Sequence, residues 1–388
     1  MSSSTVSDRL RPASDRHPES FSFRILSVDG GGIRGVIPAL ILERLEALLA
    51  DALATASSEA AARWERTGSP RIADCFHLIA GTSTGGLLAA GLTITGSPGG
   101  RPKLTAADAA NVYTTHGPAI FHSSLIEKVE QGFGLTAPKY PLAQLRTALE
   151  DPALLGDGLL KDARTDVLIL SFDTSIPGLR YFTRWGQPGA GNTPTTPAET
   201  MVEVALATAA APTYFDPEVL GSSRLIDGGV YAGNPALAAI ALALRRTTEP
   251  VPRTPRELFM VSLGTGAWSA PLDYGGGGII GWLQPRTGGE ALLEAMLGGS
   301  GDFANEAAHM LLNGDAPVQD TWEPSLPPTH VGGGPQLWRY QPALPEPFAM
   351  DDVSKLPELK QIGVQLANRY ADELARLAAQ LIDAGPVL

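Results

Sequence analysis

The segment Gly81-Thr82-Ser83-Thr84-Gly85-Gly86 constrains this chain more than any other. It follows the apolar run Phe76-His77-Leu78-Ile79-Ala80 and precedes the helix-like run Leu87-Leu88-Ala89-Ala90-Gly91-Leu92. A serine flanked by glycines, passing from a strand into a helix, fits the nucleophile elbow G-x-S-x-G. The turn is so tight that Gly81 and Gly85 must be small. It lifts the Ser83 hydroxyl off the end of a strand, at the amino end of the next helix. Only a chain that buries a strand beneath a covering helix can build it.

The rest of the chain supplies that framework. Phe23–Val28, Leu78–Ala80, Val167–Phe172 and Leu258–Leu263 are short apolar strands. Arg180–Thr183 is predicted to pair with the third of them through the Ile176-Pro177-Gly178 turn, and Leu337–Tyr340 is an edge-strand candidate. Helical spacing marks Val36–Ala50, Thr84–Thr95, Thr105–Thr115 (Thr105 as N-cap, Asp108 three residues on), Thr200–Ala210, Pro235–Arg246 and a long amphipathic region Lys355–Ile382. Apolar strands alternating with helices predict an α/β fold: a three-layer α/β/α sandwich around a mainly parallel sheet. Gly186–Pro197 and Ala270–Gly289, which includes four consecutive glycines, are expected to be loops. Residues 1–20 carry no apolar leader-like stretch and are expected to form a disordered tail. Residues 21–385 are expected to form one catalytic domain, with its helical C-terminal region starting near 355.

Charge and composition narrow the partners. A net charge of −12 argues against non-specific nucleic-acid binding and against attraction to an anionic membrane. Any contact with lipid would be hydrophobic or made through a local patch. The one cysteine, Cys75, excludes an internal disulfide and fits a reducing, cytoplasmic compartment. It is expected to be a buried thiol in a strand. No run approaches the ~20 apolar residues of a membrane-spanning helix. There is no H-E-x-x-H and no Cys/His cluster, so no metal and no cofactor are expected.

Asp29-Gly30-Gly31-Gly32-Ile33-Arg34-Gly35 follows the first strand. Its backbone N–H groups, at the start of a helix, suit either a phosphate or the oxyanion of an acyl-transfer reaction. Gly30, Gly32 and Gly35 satisfy G-x-G-x-x-G. The acidic residue that a dinucleotide site needs ~20 positions on, at the end of a second strand, is absent, since Asp51 falls in or beside a helix. Asp227-Gly228-Gly229, after Leu225-Ile226, is by itself an ordinary turn. Of the six histidines, only His309 and His330 come late enough for a Ser-His-Asp triad; His309 lies in a helical pattern and His330 in a loop. His77 sits on the strand before Ser83, awkwardly placed for contact with its hydroxyl.

Taken in this order, Gly30–Gly35, Gly81–Gly85 and Asp227-Gly228-Gly229 resemble the patatin-like phospholipases, closer to the plant-patatin branch, which bacteria share. The likeness extends to Ala207–Phe215, Asp227–Leu237 with Asn234-Pro235, and Ser262–Gly266, and covers roughly residues 23–382. It implies a Ser-Asp dyad, which accounts for the missing histidine. Ser83 would be the nucleophile, Asp227 its base, and Gly30, Gly31 and Gly32 the oxyanion donors. Asp29, Arg34, Gly35, Gly81, Gly85, Gly228 and Gly229 would support them, with Arg34 either bracing the loop or meeting a lipid phosphate. The implied activity is hydrolysis of phospholipid or lysophospholipid esters through an acyl-enzyme. An acyltransferase or thioesterase using the same serine, or a non-catalytic storage or binding protein, are the alternatives. The implied partner is a lipid substrate, with transient membrane-surface contact; oligomeric state is not encoded legibly. His77 stands where many relatives have an aspartate, a change expected to affect packing. Phe121–Ile126, Phe133 and Ile279–Leu283 are candidate groove walls, with Trp282 suited to a lid or membrane-contact loop if exposed.

Overall fold

A computed structural model describes residues 23–120, 138–184, 198–245, 253–268, 271, 278–283, 291–314, 332–333 and 336–387. The expected tail 1–20, the loop 186–197, the groove segments 121–126 and 133, and His330 lie outside these residues.

Among the described residues nine strands form one sheet. Five run parallel, in spatial order β3 (Asp166–Asp173), β2 (Leu78–Thr82), β1 (Phe23–Val28), β7 (Leu258–Leu263) and β9 (Leu337–Tyr340). Four antiparallel strands complete it: β4 (Gly178–Thr183) on β3, β6 (Ser223–Asp227) on β3, β5 (Glu218–Leu220) on β6, and the two-residue β8 (Gly332–Gly333) outside β9. The expected mainly parallel sheet with helices on both faces is therefore present.

The parallel strands read as largely apolar runs because both faces are covered, with polar exceptions such as Arg24, Ser171 and Arg339. Leu26, Val28, Ile79, Val167, Ile169, Phe259 and Val261 point to one side. There they meet α1 (Val36–Ala54), α2 (Thr84–Thr93), α3 (Ala106–Thr115), α4 (Met201–Ala209), α7 (Leu356–Arg369) and α8 (Ala371–Ala384). Ile25, Leu78, Ala80, Leu168, Leu170 and Met260 point to the other side. They meet α5 (Ala236–Arg245) and the carboxyl half of α6 (Ala291–Asn313), through Ala239, Ile240, Ala308 and Leu312. This is the period-2 alternation of a strand, applied to two cores at once.

Local signals act as expected at α3, where Thr105 and Asp108 form a reciprocal capping box. Two expectations are corrected. Cys75 is buried, but in a short helix, Ile72–Cys75, that turns the chain into β2. Within the expected loop 270–289, Gly278–Leu283 is helical and its Trp282 is half-buried. The C-terminal helices are tied into the core: the indole N–H of Trp64 donates to Ile382 O at 2.9 Å, and Arg24 donates to Gly385 O at 2.7 Å. Among the described residues no helix is long and apolar enough to cross a membrane.

Candidate active site

The chain leaves β2 at Thr82 and enters α2 at Thr84, so Ser83 carries the whole change of direction. Its backbone sits at φ 54°, ψ −126°, a conformation that costs a non-glycine residue about 1–3 kcal/mol. Only small neighbours permit it. A Cβ on Gly81 would come within 2.1 Å of Gly85 O, and one on Gly85 within 2.1 Å of Val28 O. The strained peptide is held from below. Ser83 N–H donates to Thr208 Oγ1 at 2.9 Å, and that hydroxyl donates to Leu170 O at 2.6 Å. Thr208, on the fully buried side of α4, is a supporting residue that the sequence did not single out.

Asp227 reaches the serine through the architecture of β3. A strand has two edges, and β4 occupies one of them along Leu168–Asp173. The other is shared: β2 runs up it as far as Thr82 opposite Leu170, and β6 runs down it as far as Asp227 opposite Ser171. The two strands meet end to end, and each brings one candidate residue, Ser83 or Asp227, to the junction. Asp227 is buried and accepts a hydrogen bond from Gly229 N–H at 2.7 Å, with the Ser83 side chain as its side-chain partner. Burial pushes its carboxyl up from 3.8 to about 7, against the opposing pull of the hydrogen bonds from Ser83 and Gly229. Gly228 begins the short helix Gly229–Ala232 that carries the Gly229 amide.

The glycine loop leaves β1 beside them. Asp29 is clamped by the Arg339 guanidinium, with contacts of 2.9 and 2.5 Å, and Arg339 also donates to Ser262 Oγ at 2.8 Å. Gly30 lies against Ser83: an added Cβ would sit 3.1 Å from Ser83 Cβ. Its N–H donates to Gly233 O at 2.8 Å, and its carbonyl accepts from Thr265 Oγ1 at 2.6 Å. That amide is spent, which removes Gly30 from the donors expected to face an oxyanion. Ile33 N–H is likewise taken by Met350 O and Arg34 N–H by Gly31 O. The amides of Gly31 and Gly32 have no acceptor among the described residues, and Gly32 sits at φ 58°.

Arg34 braces the loop. Its buried guanidinium donates to Gly31 O and Phe348 O, pairs with Glu294 of α6 at 3.2 Å, and lies 5.0 Å from the centre of the Trp268 ring. Gly35 caps α1, packed against Thr84 and Tyr113. Arg339, Thr265 and Glu294 complete the set that sequence reading missed. A lone arginine inside the apolar strand Leu337–Tyr340 was the one available hint.

Ser83 and Asp227 both line a cavity of about 110 Å³. Its walls are almost wholly apolar, with Leu88, Leu104, Val112, Leu149, Phe215 and Leu297 among them. His77 is far from this site. It lies six residues back along β2, ~20 Å at the usual rise per residue. There its Nδ1 accepts from Arg24 N–H at 3.0 Å and its ring stacks on Phe23. His309 is on α6, within hydrogen-bonding distance of Asn313.

The family model described as patatin-like phospholipase matches residues 26–240, more than half of the chain. A potato (Solanum tuberosum) protein named as a probable inactive patatin, patatin-3-Kuras 1, is 34% identical over 282 residues, covering 67% of this chain and 68% of that relative. Patatin-03 of the same plant is 36% identical over 258 residues, covering 62% and 60%. The chain thus spans 60–68% of the length of these two relatives. Among solved structures, VipD from Legionella pneumophila aligns over 90% of this chain and 67% of its own, at 11% identity and a TM-score of 0.29, too loose to bear on the site. With the family model spanning glycine loop, elbow and aspartate alike, the chain belongs to the patatin-like phospholipase family.

Proposed function

We propose that the protein hydrolyses carboxylic esters of phospholipids or lysophospholipids through a Ser83–Asp227 dyad. The observation that carries this reading is the pairing of the strained Ser83 with a buried carboxyl whose pKa lies near 7, both lining an apolar cavity. A carboxylate of ordinary pKa is a feeble base towards an alcohol, whereas one near neutrality is matched to proton transfer at physiological pH. Ser83 Oγ attacks the ester carbonyl carbon while its proton passes to Asp227. The oxygen of the tetrahedral intermediate takes the negative charge and is held by the N–H groups of Gly31 and Gly32, each such donor worth about 3 kcal/mol of barrier. Collapse breaks the bond to the alcohol, which leaves with the proton from Asp227. Water, deprotonated by the same carboxylate, then cleaves the acyl-serine. The acyl chain lies in the cavity lined by Leu88, Leu104 and Leu149.

The name of one potato relative calls it inactive, so the activity needs direct proof. The test compares fatty acids and lysolipids released from a mixed lipid extract by the wild type and by Ser83→Ala, with a fluorophosphonate reporting on the serine. Wild type should release fatty acid and label at Ser83, and Ser83→Ala should do neither. Fatty acid release that survives Ser83→Ala would refute the dyad. Acyl transfer to an added alcohol or thiol in preference to water would make the protein an acyltransferase instead, and hydrolysis of acyl thioesters in preference to oxygen esters a thioesterase.

A further inference from the structure

The inner face of α6 closes the catalytic cavity: Leu293 and Leu297 line it, and Glu294 grips Arg34 of the glycine loop. The outer face is apolar where it should be polar. Of the nine large hydrophobic side chains exposed among the described residues, five lie on this one helix, so the exposure is concentrated. Phe303 is 69% exposed, Met310 68%, Leu311 49%, Leu292 42% and Met296 36%. At 3.6 residues per turn, Leu292, Met296, Phe303 and Met310 fall within about 40° of one another. They form a straight stripe along more than four turns. Asp302 and Glu306 flank it, and the last turn of the helix carries no basic residue.

We propose that this stripe is the surface by which the protein docks on a zwitterionic lipid bilayer. Solvent-exposed apolar stripes of this length mark interaction surfaces rather than ordinary surface variation. Here the stripe and the site share one helix, which presents one face outward and another to the acyl cavity. An interfacial helix buries its apolar side in the headgroup region, which would bring the cavity wall to the place where acyl chains start. Charge selects the lipid. Most such helices carry lysine and arginine for anionic membranes; this one carries Asp302 and Glu306 on a chain of net charge −12. An anionic surface would repel it, so the contact is with neutral headgroups and is hydrophobic in origin.

The proposal rests on the lipid-hydrolase reading, and the experiment separates the two. Full-length protein carrying Ser83→Ala, so that vesicles stay intact, is floated with phosphatidylcholine vesicles, with and without phosphatidylglycerol. It should float with phosphatidylcholine, and less with the anionic mixture at low salt than at high salt. Adding Phe303→Asp and Met310→Asp, both at exposed positions, should cut partitioning about 30-fold. The same double substitution in the Ser83 protein should leave turnover of a soluble ester, p-nitrophenyl butyrate, unchanged. If no ester is hydrolysed but flotation still depends on Phe303 and Met310, the docking surface stands and the catalytic reading falls. Flotation untouched by the double substitution would overturn the proposal. So would a wild-type dimer that the substitutions dissolve, with no vesicle binding, since the stripe would then be a contact between copies.

Discussion

Asp227→Asn should abolish turnover and at the same time stabilise the protein, by an amount that grows with pH. The carboxyl is buried, and its pKa stands near 7 in the folded chain against 3.8 for the ordinary group. Between those two values the folded state holds a proton that the unfolded state has released, so stability falls as pH rises through the window. Well below pH 3.8 both states are protonated and the effect vanishes. Above pH 8 both are ionised, and the folded state bears the full penalty, about 4 kcal/mol at 1.36 kcal/mol per pKa unit. Asparagine keeps an oxygen for the Gly229 amide at this position and carries no charge to bury. Urea unfolding of wild type and Asp227→Asn at pH 4.5 and 8.5 measures the difference, with other titrating groups cancelling in the comparison. The variant should gain about 3 kcal/mol relative to wild type between the two conditions. The wild type's kcat/KM should rise with pH through an inflection near 7 as the base becomes available. A variant that is equally or less stable than wild type at pH 8.5 would refute the idea that burial raises this carboxyl, and with it the account of how a dyad works without histidine.

Thr208→Val removes the acceptor for Ser83 N–H and the donor to Leu170 O, so kcat should fall about tenfold with KM little changed, about 1.4 kcal/mol; Thr208→Ser should restore it. Glu294→Ala leaves the Arg34 guanidinium buried without its carboxylate, and thermal or urea unfolding should register a loss of about 3–5 kcal/mol. Replacing both partners by Leu and Met should recover most of that loss. Gly299→Ala lies inside α6 with nothing within 4 Å of its added Cβ, so it should stabilise the protein by about 1 kcal/mol, read as a shifted urea midpoint.

Much of the sheet was legible because a strand covered on both faces is apolar at most positions on either side. Phe23–Val28, Val167–Phe172 and Leu258–Leu263 announce themselves this way. The elbow was legible because its steric demand falls on adjacent residues, Gly81, Ser83 and Gly85. Contacts across the chain were not. Asp29 and Arg339 are 310 residues apart, and Arg34 and Glu294 are 260 apart. Nothing local in either member marks its partner. Cys75 was misread because Ile72–Cys75 is a single buried turn, too short to show a helical period against the strand that follows. The Gly30 amide is a subtler case. The motif fixes that glycines are needed, but which amides point to a ligand depends on Gly233 O and Met350 O, carbonyls delivered by remote parts of the fold.

That the proposed dyad has no need of a third residue follows from how β3 is used. In a triad the base swings in on a loop after the last strands, and an imidazole bridges the distance to the acid. Here the acid ends a strand, β6, which is held by main-chain hydrogen bonds to the edge that also holds β2. Thr82 and Asp227 face consecutive residues of β3, Leu170 and Ser171, so the separation of Ser83 and Asp227 is set by backbone pairing rather than by side-chain reach. A strand register cannot drift by less than a residue, and a slip by one would turn Asp227 to the other face of the sheet. The elbow shares the same reference point, because Thr208 ties Ser83 N–H to Leu170 O. One peptide of β3, between Leu170 and Ser171, therefore sets the position of both Ser83, the proposed nucleophile, and Asp227, its proposed base. With both fixed that closely, a carboxylate of raised pKa can take the serine proton directly, and an intervening imidazole has no distance left to span.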